Sequence, residues 1–269
     1  MASTADFGSR TAEDAIESPP LTMLTFAPMI DSETSRLVLR HYGQAFRETD
    51  HLFGWVSILA LIHGGSGLLP LLHGPRLKLT GPRAIVEHFD PLVPPARRLL
   101  PIEPEVLAEV EADWALHNGK LAADVAVVSY YYLLPERRMM SELFARSVPR
   151  WEAWTLPVSY PILRAMFTRL LKLRQPNVDE AMARIRAVFD ETDRKVGDGR
   201  EFLAGGRLTL ADLGLAAAAG PMLVPDHYSA PVPTYAQMPP ALKEIVDGLR
   251  ATPTAAFVAA IYARLAGAR

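Results

Sequence analysis

Glu201-Phe202-Leu203-Ala204-Gly205-Gly206-Arg207-Leu208-Thr209-Leu210-Ala211-Asp212 decides how the second half of the chain is read. Thr209 stands where a helix N-cap belongs and Asp212 follows at the third helical position. The hydroxyl takes the amide of that position while the carboxylate reaches back to the cap's own amide, a variant capping box. The box starts a helix over 210–219, where Ala216 to Ala219 permit close approach of neighbouring helices. Further out, apolar residues recur at helical spacing over 106–134, 161–173, 178–196, 240–249 and 254–265, and no run reads as a strand. Residues 102–269 are therefore expected to form an all-helical domain.

The first half reads differently. Residues 21–26 form an apolar run with strand character, 32–42 a helix stopped by Gly43, 46–49 a weak second strand and 55–62 a short helix stopped by Gly64-Gly65. Leu68 to Leu72 and Leu77 to Leu79 make two strands around His73-Gly74, and Gly81-Pro82 opens a helix through Phe89, proline being favoured in a first helical turn. Strands alternating with helices over 21–90 point to an α/β unit. Pro91, Pro94, Pro95 and Pro101 make 91–101 a proline-rich linker.

The chain has 269 residues, 49% hydrophobic and 22% charged, a globular balance. Lysine plus arginine number 28 against 30 acids, a formal net charge of −2, so no bulk positive field draws nucleic acid or anionic membrane. Neither is expected as a partner. There is no cysteine, which excludes disulfides, thiolate nucleophiles and cysteine-ligated metal. Residues 1–20, with Asp6, Glu13, Asp14 and Glu17, have no apolar core and are expected to be a flexible tail. The most apolar stretch, 55–72, is broken by glycines and Pro70 and falls short of a spanning helix. A cytoplasmic protein is expected. His63, His73 and His117 share no ligand spacing with acids, and no phosphate-binding loop or nucleophile-elbow motif occurs, so no metal site is expected.

The 201–212 stretch resembles the segment that glutathione S-transferases carry before and into the core helix of their C-terminal domain. The order of elements before residue 90 is similar to the N-terminal domain of the same superfamily, so the resemblance runs from Leu21 to about Arg264. It implies a thioredoxin-like N-terminal domain followed by a glutathione-transferase-type helical domain, an α/β unit plus an all-α one. It also implies a homodimer, glutathione as co-substrate, and transfer of glutathione to a small apolar electrophile. Leu69-Pro70-Leu71-Leu72 looks like the family's cis-proline turn, which presents a backbone edge to the peptide of glutathione; the plainer reading is that Pro70 begins an edge strand.

At the next helix the family places an acid and a serine. This chain has Gly81-Pro82, and Pro82 offers neither an amide hydrogen nor a hydroxyl. Arg83 is left as a partner for a carboxylate, or as an exposed cation. Transferases also aim a Tyr or Ser hydroxyl at the sulfur. Phe26 stands at the tyrosine position and cannot donate. Ser32 is the candidate donor, with Thr34 and Ser35 behind it, Asp31 as an alternative match to the family serine, and a helix cap as the structural reading of Ser32. Trp114, Tyr130 and Tyr131 lie on the helix that lines the electrophile's cleft in the family, although successive tyrosines point different ways around a helix. Residues 142–175, with Trp151, Trp154, Pro157 and Pro161, are expected to be an insertion over or beside that cleft. Against the enzyme stands a binding or scaffold protein that has lost glutathione.

Overall fold

The computed structural model describes residues 21–267. The tail expected over 1–20 lies outside the described residues. Strand β1 (Leu21–Thr25), helix α1 (Ile30–Tyr42), β2 (Phe46–Asp50), α2 (Trp55–Ile62), β3 (Leu71–Gly74), β4 (Leu77–Thr80) and α3 (Gly81–Phe89) follow one another in the order expected. The sheet runs β2-β1-β3-β4. β1 and β2 are parallel, with Leu21 opposite Phe46, so the chain must cross over between them, and α1 is that crossover. β3 and β4 close the sheet as antiparallel neighbours. Gly43 ends α1 at φ +67°, a left-handed conformation that suits glycine, and its amide returns to the carbonyls of Leu39 and Arg40. The Leu69–Pro70 peptide is cis, and the Pro70 carbonyl accepts the Gly81 amide at 2.8 Å.

The proline-rich stretch contains two short 3-10 turns. Asp90 pins it: its carboxylate accepts the Leu99 and Leu100 amides at 2.7 and 2.9 Å and the Tyr42 hydroxyl at 2.7 Å.

Helices α4 (Pro104–Trp114) and α5 (Ala122–Leu133) are joined by a π-helical segment, Ala115–Leu121, inside the span expected as one helix. Then come α6 (Arg137–Ala145), α7 (Arg150–Leu170), α8 (Gln175–Val196), α9 (Leu210–Leu223), α10 (Pro240–Arg250) and α11 (Pro253–Ala266). α9 is apolar on every side and correspondingly buried along almost its whole length. The capping box forms at its start: Asp212 accepts the Thr209 amide at 2.7 Å and the Leu203 amide at 2.8 Å, tying the quoted stretch to the helix it introduces.

α7 begins eleven residues earlier than the expected 161 and contains Pro157 and Pro161. Pro161 has no amide for the Pro157 carbonyl, which instead accepts the Arg137 guanidinium at 2.8 Å. Fully buried Glu152 anchors the start of α7 to the end of β2, accepting the Leu52 amide at 2.7 Å and pairing with His51. Among the described residues no helix is long and apolar enough to cross a membrane.

Candidate functional site

A cavity of about 330 Å³ lies between the loop that follows β1 and the helical half. Phe26, Pro28 and Met29 bring the chain from β1 to its rim, and Asp31 enters from the first turn of α1. Asn118 and Gly119 come from the π-helical segment, and Val125, Ser129 and Tyr130 from α5. Met140 and Leu143 of α6 with Phe167 of α7 complete one wall, so residues from the 142–175 span stand beside the cavity. The aromatics are organised. Tyr130 stacks on Phe167 with ring centres 4.9 Å apart and planes 12° apart, and Phe26 lies 6.2 Å from Phe167 and 5.7 Å from Phe53.

The polar content of this space is small. Burial raises the Asp31 carboxyl above the ordinary aspartate range, an effect the Asn118 side chain partly offsets. Oδ1 of Asn118 is buried without a hydrogen-bond partner. Together they place a desolvated carboxyl and an unpaired amide oxygen within apolar walls.

The next residues on α1 are closed off. Glu33 is fully buried and accepts Arg36 at 2.8 Å, the Tyr262 hydroxyl at 3.1 Å and the Ser229 amide at 3.3 Å. Arg36 also engages Glu48 and the Ala27 carbonyl. This network ties α1 to α11 across the two halves.

Among the residues expected at the site, Ser32 is fully buried and its hydroxyl donates to the Phe26 carbonyl at 3.2 Å. It is no cap, because α1 starts at Ile30 with Met29 before it, which puts Ser32 in the first turn. Leu69 and Pro70 sit in the cis turn and Pro82 is buried in the first turn of α3, none of them lining the cavity. Arg83 is held by Glu111 through two bonds of 2.7 Å and by Glu87 at 2.8 Å. Tyr130 lines the cavity, whereas Tyr131 turns outward to Gln175 at 2.8 Å and Trp114 packs over Gly214. Sequence reasoning did not find Asn118. Its one signal is the turn-forming pair Asn118-Gly119 interrupting a helical period.

Residues 175–251 match the family model for the glutathione S-transferase C-terminal domain. No curated protein sequence matches the chain. Among solved structures it shares its fold with the β-etherase LigF from Sphingobium sp. strain SYK-6 (TM-score 0.57, 16% identity, covering 89% of this chain and 98% of that one). The glutathione transferase GSTFuA3 from Phanerochaete chrysosporium is also similar (TM-score 0.60, 13% identity, 94% and 98%). So is a glutathione S-transferase-I with bound lactoylglutathione (TM-score 0.53, 18% identity, 90% and 100%).

Proposed function

We propose that this chain, a member of the glutathione S-transferase superfamily, binds a small apolar molecule with one polar end in the cavity between its halves, and that it does not conjugate glutathione. One observation carries this reading: Ser32 and Arg83, the side chains a transferase would turn toward glutathione, are engaged within the protein, while the apolar cavity holds the unpartnered Asn118 Oδ1 beside Asp31. Ser32 gives its hydroxyl to the Phe26 carbonyl, Pro82 has no donor and Arg83 is held by two glutamates. Of the expected contacts the cis Leu69–Pro70 turn is in place, but the side-chain donors are turned elsewhere.

A flat phenolic molecule suits what is left. Its hydroxyl hydrogen would go to Asn118 Oδ1, its oxygen would accept from the Asp31 carboxyl when that carboxyl is protonated, and its ring would lie among Phe26, Tyr130 and Phe167. The competing reading is glutathione transfer to an apolar electrophile, with Ser32 at the sulfur, Leu69 on the peptide backbone and Arg83 on the carboxylate. Calorimetric titration with glutathione, an assay with a general aromatic electrophile, and displacement of an apolar fluorescent reporter by substituted phenols separate the two. The expected result is no heat with glutathione, no turnover, and displacement that weakens in Asp31→Asn. Glutathione binding with turnover would overturn the proposal. The homodimer that the superfamily implies is part of the same reading, and light scattering well above the monomer mass of 29.6 kDa is its check.

A further inference from the structure

α7 has two apolar stripes. Leu156, Tyr160, Leu163 and Phe167 face the core, and the Tyr160 hydroxyl reaches the Leu134 carbonyl at 2.8 Å. On the opposite side Trp151, Trp154, Val158 and Ile162 recur at spacings of three and four and stand in solvent, Trp154 79% and Val158 76% exposed. The stripe continues onto α2. Trp55 meets Trp151 edge-on with ring centres 5.2 Å apart, and beyond it Ile58, Leu61 and Ile62 of α2 are exposed as well. Apolar residues this large and this contiguous mark a surface that contacts something.

Charge identifies what. Residues 137–174 carry eight cations, Arg137, Arg138, Arg146, Arg150, Arg164, Arg169, Lys172 and Arg174, against Glu142 and Glu152, a balance of +6 in a chain whose total is −2. All eight cations are exposed, while Glu152 is fully buried and Glu142 is paired with Arg138 at 3.0 Å. Between Asp50 and Arg76 there is no Asp, Glu, Lys or Arg at all, so α2 adds apolar area and no opposing charge. The whole-chain balance conceals this local excess.

We propose that the α2–α7 face is a docking surface for an anionic lipid bilayer, with Trp151, Trp154, Val158 and Ile162 entering the headgroup boundary and the surrounding arginines meeting the lipid charge. An exposed helix with tryptophans on an apolar face and cations beside it has the character of an interfacial anchor. A second copy of the chain fits less well. An isologous contact would set the same excess of cations against itself, and interface cores are depleted in charge. The face is also firmly mounted, because Glu152 and Tyr160 fix α7 from behind. Docking here does not depend on what the cavity binds.

Co-sedimentation of the full chain with vesicles of phosphatidylcholine, with and without phosphatidylglycerol, tests the proposal. The protein is expected to pellet with the anionic vesicles alone, to be released as salt is raised, and to shift its tryptophan emission to the blue on binding. Arg164→Glu combined with Arg169→Glu should lower partitioning by about tenfold or more, since each cation near such a surface contributes on the order of 1 kcal/mol. Trp154→Ser with Val158→Ser should abolish it, and both substituted positions are so exposed that the thermal unfolding curve should stay in place. Equal partitioning to neutral and anionic vesicles, none to either, or full partitioning by the Trp154→Ser, Val158→Ser protein would overturn the proposal. So would a dimer that Trp154→Ser dissociates in the absence of vesicle binding, because the face would then join two copies of the chain.

Discussion

Asp31 and Glu33 stand two residues apart on the first turn of α1, and His117 and Asn118 are adjacent on the π-helical segment. One member of each pair is closed: Glu33 is spent on Arg36, Tyr262 and the Ser229 amide, and buried His117 has Nδ1 3.2 Å from the Ala211 carbonyl. The other member faces the cavity, where Asp31 is desolvated and Asn118 Oδ1 has no partner. A closed group stabilises the fold whether or not a ligand is present, whereas an open one costs desolvation until a guest arrives. The same two elements thus divide into a part that holds the halves together and a part available to a ligand.

Removing a closed group should give the largest effect. Glu33→Ala removes one partner of Arg36, which keeps Glu48, and strands the Tyr262 hydroxyl and Ser229 amide; it is expected to cost about 2–5 kcal/mol by urea unfolding, with ligand affinity unchanged in the fraction that stays folded. A loss below 1 kcal/mol would show that the network does not join the halves. His117 should come next. Burial lowers its pKa to about 4, so folding favours the neutral ring; the stabilisation is complete above the ordinary histidine range and disappears as pH falls from there toward 4. About 3 kcal/mol is expected to be lost across that window, and unfolding curves of His117→Gln should lack this component.

Asp31 reverses the sign. Its carboxyl is raised, so folding favours the protonated form, whose contribution is present at acid pH and is lost as pH climbs through the raised value. Affinity for a neutral phenol should fall over the same rise, and Asp31→Asn should flatten the titration while changing stability by about 1 kcal/mol or less. An unchanged pH profile in that variant would place the guest elsewhere. Ser32→Ala should matter least to binding, leaving ligand affinity as it was while costing about 0.5–1.5 kcal/mol of stability for one internal hydrogen bond.

The fold was legible because its signals are local. Thr209 and Asp212 cap α9 as their spacing requires, Gly43 ends α1, and the alternation of strand and helix up to Phe89 is the order observed. The site was less legible for physical reasons. A serine ahead of an apolar helix reads as either cap or donor, but α1 starts earlier at Ile30 with no side-chain cap, which turns Ser32 inward onto Phe26. Asn118 meets Asp31 from 87 residues away along the chain, a distance no local pattern spans. Tyr130 and Tyr131 are indistinguishable in sequence, and only the helix's rotation sends one to Phe167 and the other to Gln175. The start of α7 was hidden by its prolines, whose freed carbonyl is satisfied by Arg137 from another helix.

The π-helical segment behaves as a gear with one tooth too many. An α-helix turns by about 100° per residue, so the additional residue of a π-type bulge offsets everything after it by that angle relative to everything before it. That phase shift lets α4 and α5 run as one rod while Val110 and His117 address the core and Val125, Ser129 and Tyr130 address the cavity. Gly119 is not required there by space, since a Cβ built on it meets nothing within 4 Å. Shortening the segment by one residue at Gly119 would rotate the α5 wall away from Phe167 without touching any side chain that lines it, making the cavity's shape a matter of residue count as well as residue kind.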